Sequence, residues 1–305
     1  MKKIDVIGIG ALNYDLLLKV DRILAKEDEI CADEEHYSPG GSAANTIYGL
    51  AKLGLKTGFV GCLGKDMEGR EIIRNFNSVG VCVKGIKILE NKRTGLALAL
   101  VDRSGRRALY ILPRANNFLT HINLNYIKNA KLLHLTSFAN LKQFELQKKI
   151  VEKLPNLEIS FAPGALYTRL GLKCLLPIIS KCSIIFLNYE ELKMLTRKNY
   201  LDGCDKIISS GCKTVVVTLG EKGCYIAEAT GKHHIKAIKT KVLDLTGAGD
   251  AFAAGFLYGY LKRKCLEECG KLGNIVASFC ISKFGAREGL PSKKEIKKFL
   301  LSKKL

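Results

Sequence analysis

The chain has 305 residues, of which 47% are hydrophobic, so it can bury a sizeable core within one large α/β domain spanning residues 1–305. No apolar run reaches the roughly 18 residues that a membrane span requires, and the acidic Asp5 stands where a signal peptide would need apolar residues, so we expect a cytoplasmic protein with no membrane partner. The net charge of +20 is typical of polyanion binders, but the lysines are spread along the chain without clustered arginines or any Trp, so we expect no nucleic-acid partner either.

Apolar runs of strand length alternate with helix-like stretches along the chain. These runs occupy residues 4–9, 56–62, 131–135, 157–161, 182–187 and 213–218. Nearly continuous apolar runs are typical of parallel strands that are buried on both faces. The sequence therefore predicts a doubly wound α/β fold with a mostly parallel sheet.

One segment departs from this alternation. Residues 94–112 read as a β-hairpin whose turn includes Gly105, which would supply a positive φ. Both strands are apolar on both faces, so we expect one face to cover a ligand and the other to meet more protein. The charged segment 16–38 has no regular pattern. We predict that segments of about 14–38 and 94–112 form a small β lid over the sheet.

The eleven cysteines are scattered between Cys31 and Cys280, without a Cys-x-x-Cys pair. Most stand in apolar stretches, as Cys62 does between Gly61 and Leu63. Metal sites and disulfide frameworks need closer spacing or a secreted context. We interpret these cysteines as small buried hydrophobic residues in a reducing compartment.

The strongest chemical signal is the string Asp-Leu-Thr-Gly-Ala-Gly-Asp-Ala-Phe-Ala-Ala-Gly at residues 244–255, which leads into a helix that is apolar all round and hence buried. The small residues Gly247, Ala248 and Gly249 let backbone N–H groups approach an anion closely, and a helix N-terminus favours negative charge. We predict an anion hole here for a transferred phosphoryl group. Asp250 is predicted to be the base that takes a proton from the attacking hydroxyl.

A second turn also carries two glycines. Residues 40–45 read Gly-Gly-Ser-Ala-Ala-Asn and precede a helix with Ile47, Leu50 and Leu53 on one face. The glycines again allow close backbone approach to a ligand, and Asn45 offers both a donor and an acceptor to ligand hydroxyls. On its own, this segment is explained equally well as an ordinary tight turn.

The two turns, residues 40–45 and 244–250, resemble the two signature regions of the PfkB family of ribokinase-like carbohydrate kinases, in the expected order. Four further stretches are similar to landmarks of that family: residues 10–15, 61–69, 188–191 and 218–223. The resemblance covers essentially the whole chain. It implies transfer of the terminal phosphoryl group of a nucleotide, with ATP as the expected donor, to a hydroxyl of a sugar or sugar-like acceptor.

The resemblance also implies site residues in this chain, position by position. The acceptor would be bound by Asn13, Asp15, Gly41 and Asn45. The nucleotide would be bound by Asn188, Thr218, Gly220 and Gly223, with Asn274 beside the base. Mg²⁺ would be held near the phosphates, through its waters, by Glu191 together with Asn188. A monovalent cation such as K⁺, bound by some members, would be held by Asp244 and Thr246 with the loop near Gly285.

The acceptor itself is left open by the sequence. Arg114 stands where members that act on neutral sugars often have a small residue, so it would suit a phosphate or carboxylate on the acceptor, or it simply faces solvent. A nucleoside acceptor would need an apolar slot, which Leu98, Tyr110, Leu112 and Phe138 could supply or could equally use to pack the lid. The alternatives within the fold are therefore a sugar kinase, a nucleoside kinase and a phosphosugar kinase.

Two further expectations concern the donor site and the partners. The chain lacks the Walker A string GxxxxGK[ST], so the turn at residues 247–249 must hold the donor phosphates. Gly8 and Gly10 follow a strand as in a dinucleotide-binding oxidoreductase, but the third glycine is missing, which disfavours that class.

The hairpin would expose an apolar face in a monomer, so we expect a homodimer in which two lids pack on each other.

Overall fold

The computed structural model describes residues 4–104 and 106–303. Its strands are β1 (Ile4–Ile9), β2 (Asn13–Val20), β3 (Ala32–Gly40), β4 (Thr57–Gly64), β5 (Cys82–Leu89), β6 (Gly95–Asp102), β7 (Arg107–Leu112), β8 (Ala130–Thr136), β9 (Glu158–Ala162), β10 (Ile184–Asn188), β11 (Thr214–Thr218), β12 (Cys224–Glu228) and β13 (Gly231–Ile235). Its helices are α1 (Ser42–Lys52), α2 (Met67–Ser78), α3 (Leu124–Ile127), α4 (Leu141–Lys153), α5 (Gly164–Thr168), α6 (Leu172–Ile179), α7 (Tyr189–Thr196), α8 (Tyr200–Ser209), α9 (Ala248–Leu261), α10 (Leu266–Cys280) and α11 (Lys293–Lys303). The ends of the expected domain, residues 1–3 and 304–305, lie outside this description.

The main sheet has nine strands in the order β13-β12-β11-β10-β9-β8-β1-β4-β5. The pairs from β11 through to β5 are parallel, whereas β12 and β13 add an antiparallel edge. The predicted mostly parallel, doubly wound α/β fold is confirmed. Each of the six apolar runs noted in the sequence overlaps a strand of this sheet. Strand β5 was not predicted, because Lys84, Gly85 and Lys87 interrupt its apolar pattern.

Helices cover both faces of the sheet, and the alternation of side chains along each strand supplies two cores. In β1, Ile7 and Ile9 contribute to one core, whereas Val6 contributes to the other. The first core is completed by α4, α6, α7 and α8, and the second by α1, α2, α9 and α10. The apolar helix α9 is buried along most of its length, as predicted, so its N-terminal end is held firmly at the carboxyl edge of the parallel strands.

The strands of the two predicted lid segments form a separate four-stranded sheet in the order β3-β2-β6-β7. We call this sheet the lid, and its closure over a ligand stays a prediction. The hairpin predicted over residues 94–112 is present as β6 and β7, although Gly105 in its turn lies outside the described residues. The segment 16–38, expected to be irregular, instead contributes β2 and β3. Its charges belong to an exposed edge strand, where polar residues prevent pairing with other chains, so they do not mark a loop.

The cysteines have the burial that was expected of small hydrophobic residues. All eleven cysteines are free thiols, and the majority are buried, as expected for small apolar residues. Burial raises the pKa of the Cys62 thiol to about 11, so this thiol is inert at neutral pH. Within residues 4–104 and 106–303, every helix is too short or too polar to cross a membrane.

Candidate active site

The turn before α9 has the geometry of an anion-binding site. Gly247 has a φ of 76°, and a Cβ there would lie 2.6 Å from the Cβ of Ala286, so only glycine fits. The N–H of Ala248 donates to the carbonyl of Leu245 at 3.2 Å. In the described part of the chain, no acceptor receives the N–H of Gly249, which follows at the first turn of a long buried helix. Open backbone donors at a helix N-terminus favour a bound anion.

The position next to this turn is open space. A Cβ built on Gly249 would meet no atom within 4 Å. The glycine is therefore not required by packing or by a positive φ, in contrast to Gly247. Space in front of the helix N-terminus is what a phosphoryl group would need.

Asp250 is held by two side chains of the second glycine-rich turn. The hydroxyl of Ser42 donates to Oδ1 at 2.6 Å, and the amide of Asn45 donates to Oδ2 at 2.9 Å. Burial raises the pKa of Asp250 to about 6, although both hydrogen bonds and the charge of Arg287 act to lower it. The carboxylate is therefore ionised at neutral pH, yet basic enough to accept a proton from a hydroxyl group.

Arg287, which was not predicted from the sequence, lies behind this pair. Its side chain is only 4% exposed, and its Nε donates to the Oδ1 of Asn45 at 2.8 Å. Its Nη1 donates to the Oδ1 of Asn75 at 2.7 Å, and its Nη2 donates to the carbonyl of Gly40 at 3.2 Å. The residue stands between two glycines in the string Gly-Ala-Arg-Glu-Gly, but nothing in that string distinguishes a buried arginine from a surface one.

The predicted acceptor residues Asn13 and Asp15 both lie on β2. Asn13 is 7% exposed, and its Oδ1 accepts a hydrogen bond of 2.9 Å from the amide of Asn116. The Oδ1 of Asn116 also accepts the N–H of Leu12 at 2.9 Å, so Asn116 fixes the chain at the start of β2. Asn116 was noted in the sequence only as the end of the Arg114 motif, and this supporting role was missed.

The two glycines at the base of the lid adjoin these residues. A Cβ on Gly40 would lie 2.1 Å from a carboxylate oxygen of Asp15, so the Asp15 carboxylate lies against the backbone there. Gly41 has a φ of 102°, and a Cβ on it would lie 2.2 Å from the carbonyl oxygen of Ala11. The structure thus brings Asp15, Gly41 and Asn45 together at the root of the lid, beside Asp250.

Arg114 has the unusual φ of 44° for a residue with a side chain. Its Nη1 donates a long hydrogen bond of 3.4 Å to the carbonyl of Thr94, and the side chain is half-buried. Among the described residues, this is its one hydrogen-bond partner. Contact between Arg114 and an acceptor therefore stays a prediction.

A cleft of about 120 Å³ lies in front of Asp250. The residues lining it include Ser42, Asn188, Glu191, Thr218, Gly249 and Asp250. Four predicted donor-side residues, from β10, α7, β11 and α9, therefore meet the predicted base around one space. This convergence is possible because the carboxyl ends of parallel strands meet at one edge of the sheet.

Asn188 and Glu191 form a capping box at the start of α7. The side chain of Asn188 accepts the N–H of Glu191 at 2.8 Å, and the carboxylate of Glu191 accepts the N–H of Asn188 at 2.9 Å. Burial raises the pKa of Glu191, and the nearby charge of Asp250 raises it further. Two acidic groups that share a small cleft are stabilised by a cation between them, and carboxylate oxygens are the ligands that Mg²⁺ prefers.

A protein-only cage for a metal is not built here. Residues 4–104 and 106–303 contain no group of three or more His, Cys, Asp or Glu side chains arranged to hold a metal ion. A divalent cation at Glu191 would therefore need waters and phosphate oxygens to complete its ligands. The expectation that Mg²⁺ is held here through its waters stays a prediction.

The predicted nucleotide loop follows β11. Gly223 has a φ of 90°, and a Cβ there would lie 2.0 Å from the carbonyl oxygen of Ile235. The amide nitrogen of Asn274 donates to the carbonyl of the same Ile235 at 3.3 Å and to that of Lys236 at 3.0 Å. Asn274 thus holds the segment against which Gly223 packs. Gly220 has a φ of 60° and open space around it, so it is free to approach a ligand.

Asp244 joins two loops. Its Oδ1 accepts the N–H of Thr246 at 2.8 Å, and its Oδ2 accepts the N–H of Gly285 at 2.9 Å. The carboxylate therefore braces the turn before α9 against the loop at Gly285. The structure brings together the residues expected around a monovalent cation, and the cation itself stays a prediction.

The chain is similar to known proteins in sequence family and in fold. The model of the pfkB family of carbohydrate kinases matches residues 1–293. An uncharacterized sugar kinase of Archaeoglobus fulgidus is 41% identical over 248 residues, covering 80% of this chain and 98% of the relative. An ATP-dependent ribose-1-phosphate kinase of Halopiger xanaduensis is 30% identical, covering 92% of this chain and 93% of the relative.

A solved structure extends the comparison to the fold. The ribokinase of Arabidopsis thaliana, complexed with ribose and ATP, superposes with a TM-score of 0.86 at 25% identity, covering 97% of this chain and 98% of that one. The family predicted from the two glycine-rich turns is thereby confirmed, together with the class of enzyme. This chain belongs to the pfkB family of carbohydrate kinases.

Proposed function

We propose that this enzyme transfers the terminal phosphoryl group of ATP to a hydroxyl of a sugar, with Asp250 as the base. The observation that carries the proposal is the Asp250 carboxylate, held by Ser42 and Asn45 beside the N-terminus of α9. The acceptor hydroxyl gives its proton to Asp250, its oxygen attacks the γ-phosphorus, and the bond to the β-phosphate oxygen breaks with its electron pair leaving on ADP. The N–H groups at the start of α9 stabilise the charge on the transferred group.

The acceptor is bound between the lid and the sheet. Asn13 and Asp15, both on β2, hydrogen-bond its hydroxyls, and Gly41 and Asn45 complete the pocket. Asn13 is preorganised for this by its hydrogen bond from Asn116. Such fixed polar groups orient one hydroxyl towards Asp250. The entropy lost in bringing the reactants together is therefore lost on binding, before the chemical step.

The donor is bound on the other side of Asp250. Thr218, Gly220 and Gly223 line the nucleotide. Asn274 supports the loop beside the nucleotide's adenine ring through a hydrogen bond to the Ile235 carbonyl. Glu191 and Asn188 would hold Mg²⁺ through its waters, and bound Mg²⁺ would neutralise charge on the phosphates. Asp244 and Thr246, with the loop at Gly285, would hold K⁺.

A phosphosugar acceptor is the second candidate. Arg114 keeps its backbone in a strained conformation and its guanidinium near the lid strands, where a phosphate on the acceptor would be recognised. The relative from Halopiger xanaduensis, which is named a ribose-1-phosphate kinase, gives this candidate its support. The protein is proposed to act in the cytoplasm, since eleven free thiols suit a reducing compartment.

The lid is proposed to form a homodimer contact. Leu96, Leu98 and Leu100 alternate with the buried alanines of β6, so the leucines lie on the face turned away from Asp15. Tyr110 pairs with Leu98 and is 56% exposed on that face. An apolar face of this kind is covered when a second lid packs on it about a two-fold axis.

A substrate screen tests the proposal. Ribose, fructose, adenosine, inosine and ribose 1-phosphate are offered separately with ATP or ADP, and the release of product nucleotide is measured. Ribose or another neutral sugar as the best acceptor supports the first candidate, and ribose 1-phosphate supports the second. A nucleoside as the best acceptor, or no transfer to any of the panel, contradicts both.

A further inference from the structure

We propose that Arg287 is a positioning residue for phosphoryl transfer, because it fixes the amide of Asn45 that holds the Asp250 carboxylate. This inference rests on the proposed role of Asp250 as the base. The three side chains form a chain of hydrogen bonds from Arg287 through Asn45 to Asp250, with lengths of 2.8 and 2.9 Å. Arg287 and Asn45 are 242 residues apart in the sequence, so only the fold brings them together.

Arg287 determines which way the Asn45 amide points. An asparagine amide has an acceptor end and a donor end that occupy nearly the same space. A guanidinium can only donate, and an ionised carboxylate can only accept. With Arg287 on one side and Asp250 on the other, only one orientation makes both hydrogen bonds. The reversed amide would set its oxygen against the carboxylate.

Arg287 is itself held rigidly. Its guanidinium lies 5.3 Å from the ring centres of both Tyr48 and Phe76. Its Nη1 is fixed by Asn75 on α2. The side chain is 4% exposed, so it acts on the reaction through Asn45 and not by touching a substrate. Burial in this pocket lowers the pKa of Arg287 to about 10, which still leaves it charged at neutral pH.

The same guanidinium reaches the root of the lid. Its Nη2 donates to the carbonyl of Gly40, the last residue of β3. Gly40 pairs with Asn13 across the lid sheet, and Asn13 is a proposed acceptor ligand. Arg287 therefore fixes the position of the Asp250 carboxylate, through Asn45, relative to β2, through Gly40. Its loss should disturb the chemical step and acceptor binding while leaving the donor side unaffected.

The test compares two variants that break different hydrogen bonds of the same guanidinium. Arg287→Met keeps length and packing between the rings but removes every N–H. Asn75→Ala leaves Arg287 and its bond to Asn45 in place and serves as the structural control. We expect Arg287→Met to lower kcat by about 30-fold with the ATP KM changed less than about twofold, and Asn75→Ala to lower kcat less than about threefold. The melting temperature of each variant is measured alongside.

Coupling to Asn45 gives the second measurement. If Arg287 acts through the Asn45 amide, Arg287→Met should lower kcat by less than about threefold in an Asn45→Ala background. Arg287→Lys, which keeps the charge and one donor direction, should recover part of the rate, and it replaces Arg287→Met if that variant does not fold. Equal losses of kcat in Arg287→Met and Asn75→Ala, or full additivity with Asn45→Ala, would overturn the inference.

The proposed function is judged separately in the same assay. Asp250→Asn is measured with the best acceptor of the substrate screen. Retained activity in Asp250→Asn removes the base from its role whatever Arg287 does. Loss of activity in Asp250→Asn together with unchanged kcat in Arg287→Met keeps the base and rejects the positioning role.

Discussion

Ser42 and Asp250 lie 208 residues apart in the sequence, and the hydroxyl of Ser42 donates a 2.6 Å hydrogen bond to the Asp250 carboxylate. The two glycine-rich turns are thus halves of one site. The first turn orients the carboxylate, and the second supplies the N–H groups beside it. The first turn by itself is explained equally well as an ordinary tight turn, and the fold places its Ser42 and Asn45 against the carboxylate that follows the second turn.

Replacing Asp250 by Asn tests the base directly. The amide keeps the size of the carboxyl group but cannot take a proton, so kcat should fall by at least about a hundredfold. Burial raises the folded pKa of Asp250 to about 6, above its ordinary value, so the ionised group destabilises the fold at neutral pH. Asp250→Asn should therefore melt at or above the wild-type temperature at pH 7.5. Near-normal kcat would remove Asp250 from this role.

The pH dependence of kcat/KM follows from the same group. The reaction needs the ionised carboxylate, and its pKa is raised to about 6, so the rate should fall as the pH drops through about 6. Ser42→Ala removes a hydrogen bond to the charged form, which should raise the pKa and move this acid limb to higher pH. The charges of Glu191 and Arg287 act on the same carboxylate and are unchanged in this variant. An acid limb that stays in place in Ser42→Ala would show that another group controls the rate.

The main sheet and the chemical turns could be predicted from the sequence because their signals are local. Strands such as Ile4–Ile9 are continuous apolar runs, and the string at residues 244–255 combines small residues with one acid in a fixed order. Arg287 could not be predicted, since its burial depends on partners on α1, α2 and β3. The segment of about 14–38 was predicted only as part of the β lid, and the bounds of β3 within it could not be predicted because its charges are those of an exposed edge.

Replacing Gly249 by Val tests the anion hole. A Cβ at this position meets no atom within 4 Å, so the folded protein should accept the side chain, which would occupy the space of the phosphoryl group. Turnover should slow by at least about tenfold, more than acceptor binding weakens. Gly247→Ala is the contrasting variant. It places a methyl group 2.6 Å from the Cβ of Ala286, at a residue whose φ is positive. This variant should therefore lower the melting temperature, whereas Gly249→Val should not. Weakened acceptor binding with unchanged kcat in Gly249→Val would mean that the turn binds only the ground state.

Replacing Glu191 by Gln tests the proposed magnesium site. The amide oxygen can still accept the N–H of Asn188, so the capping box and the start of α7 should persist. Loss of the negative charge should raise the Mg²⁺ concentration needed for half-maximal rate several-fold. Glu190→Gln, one residue earlier on the same helix turn, is the matched control and should leave that concentration unchanged. Identical metal titrations for wild type and Glu191→Gln would reject the assignment.

Tyr110 and Leu109 lie on opposite faces of the lid, which could not be predicted from the sequence. Tyr110 pairs with Leu98 and so lies on the leucine face, whereas Leu109 pairs with Ala99 on the face that carries Asp15. Tyr110→Lys should therefore split the proposed dimer, because it buries a charge between two lids. Leu109→Lys should instead leave the dimer intact and raise the acceptor KM, because its charge lies on the same lid face as Asp15, a proposed acceptor ligand. Sedimentation velocity at micromolar concentration and acceptor titrations measure the two effects. A wild-type protein that sediments as a monomer would refute the dimer without touching the kinase assignment, and a dimer split by Leu109→Lys alone would mean that the lids meet through the opposite face.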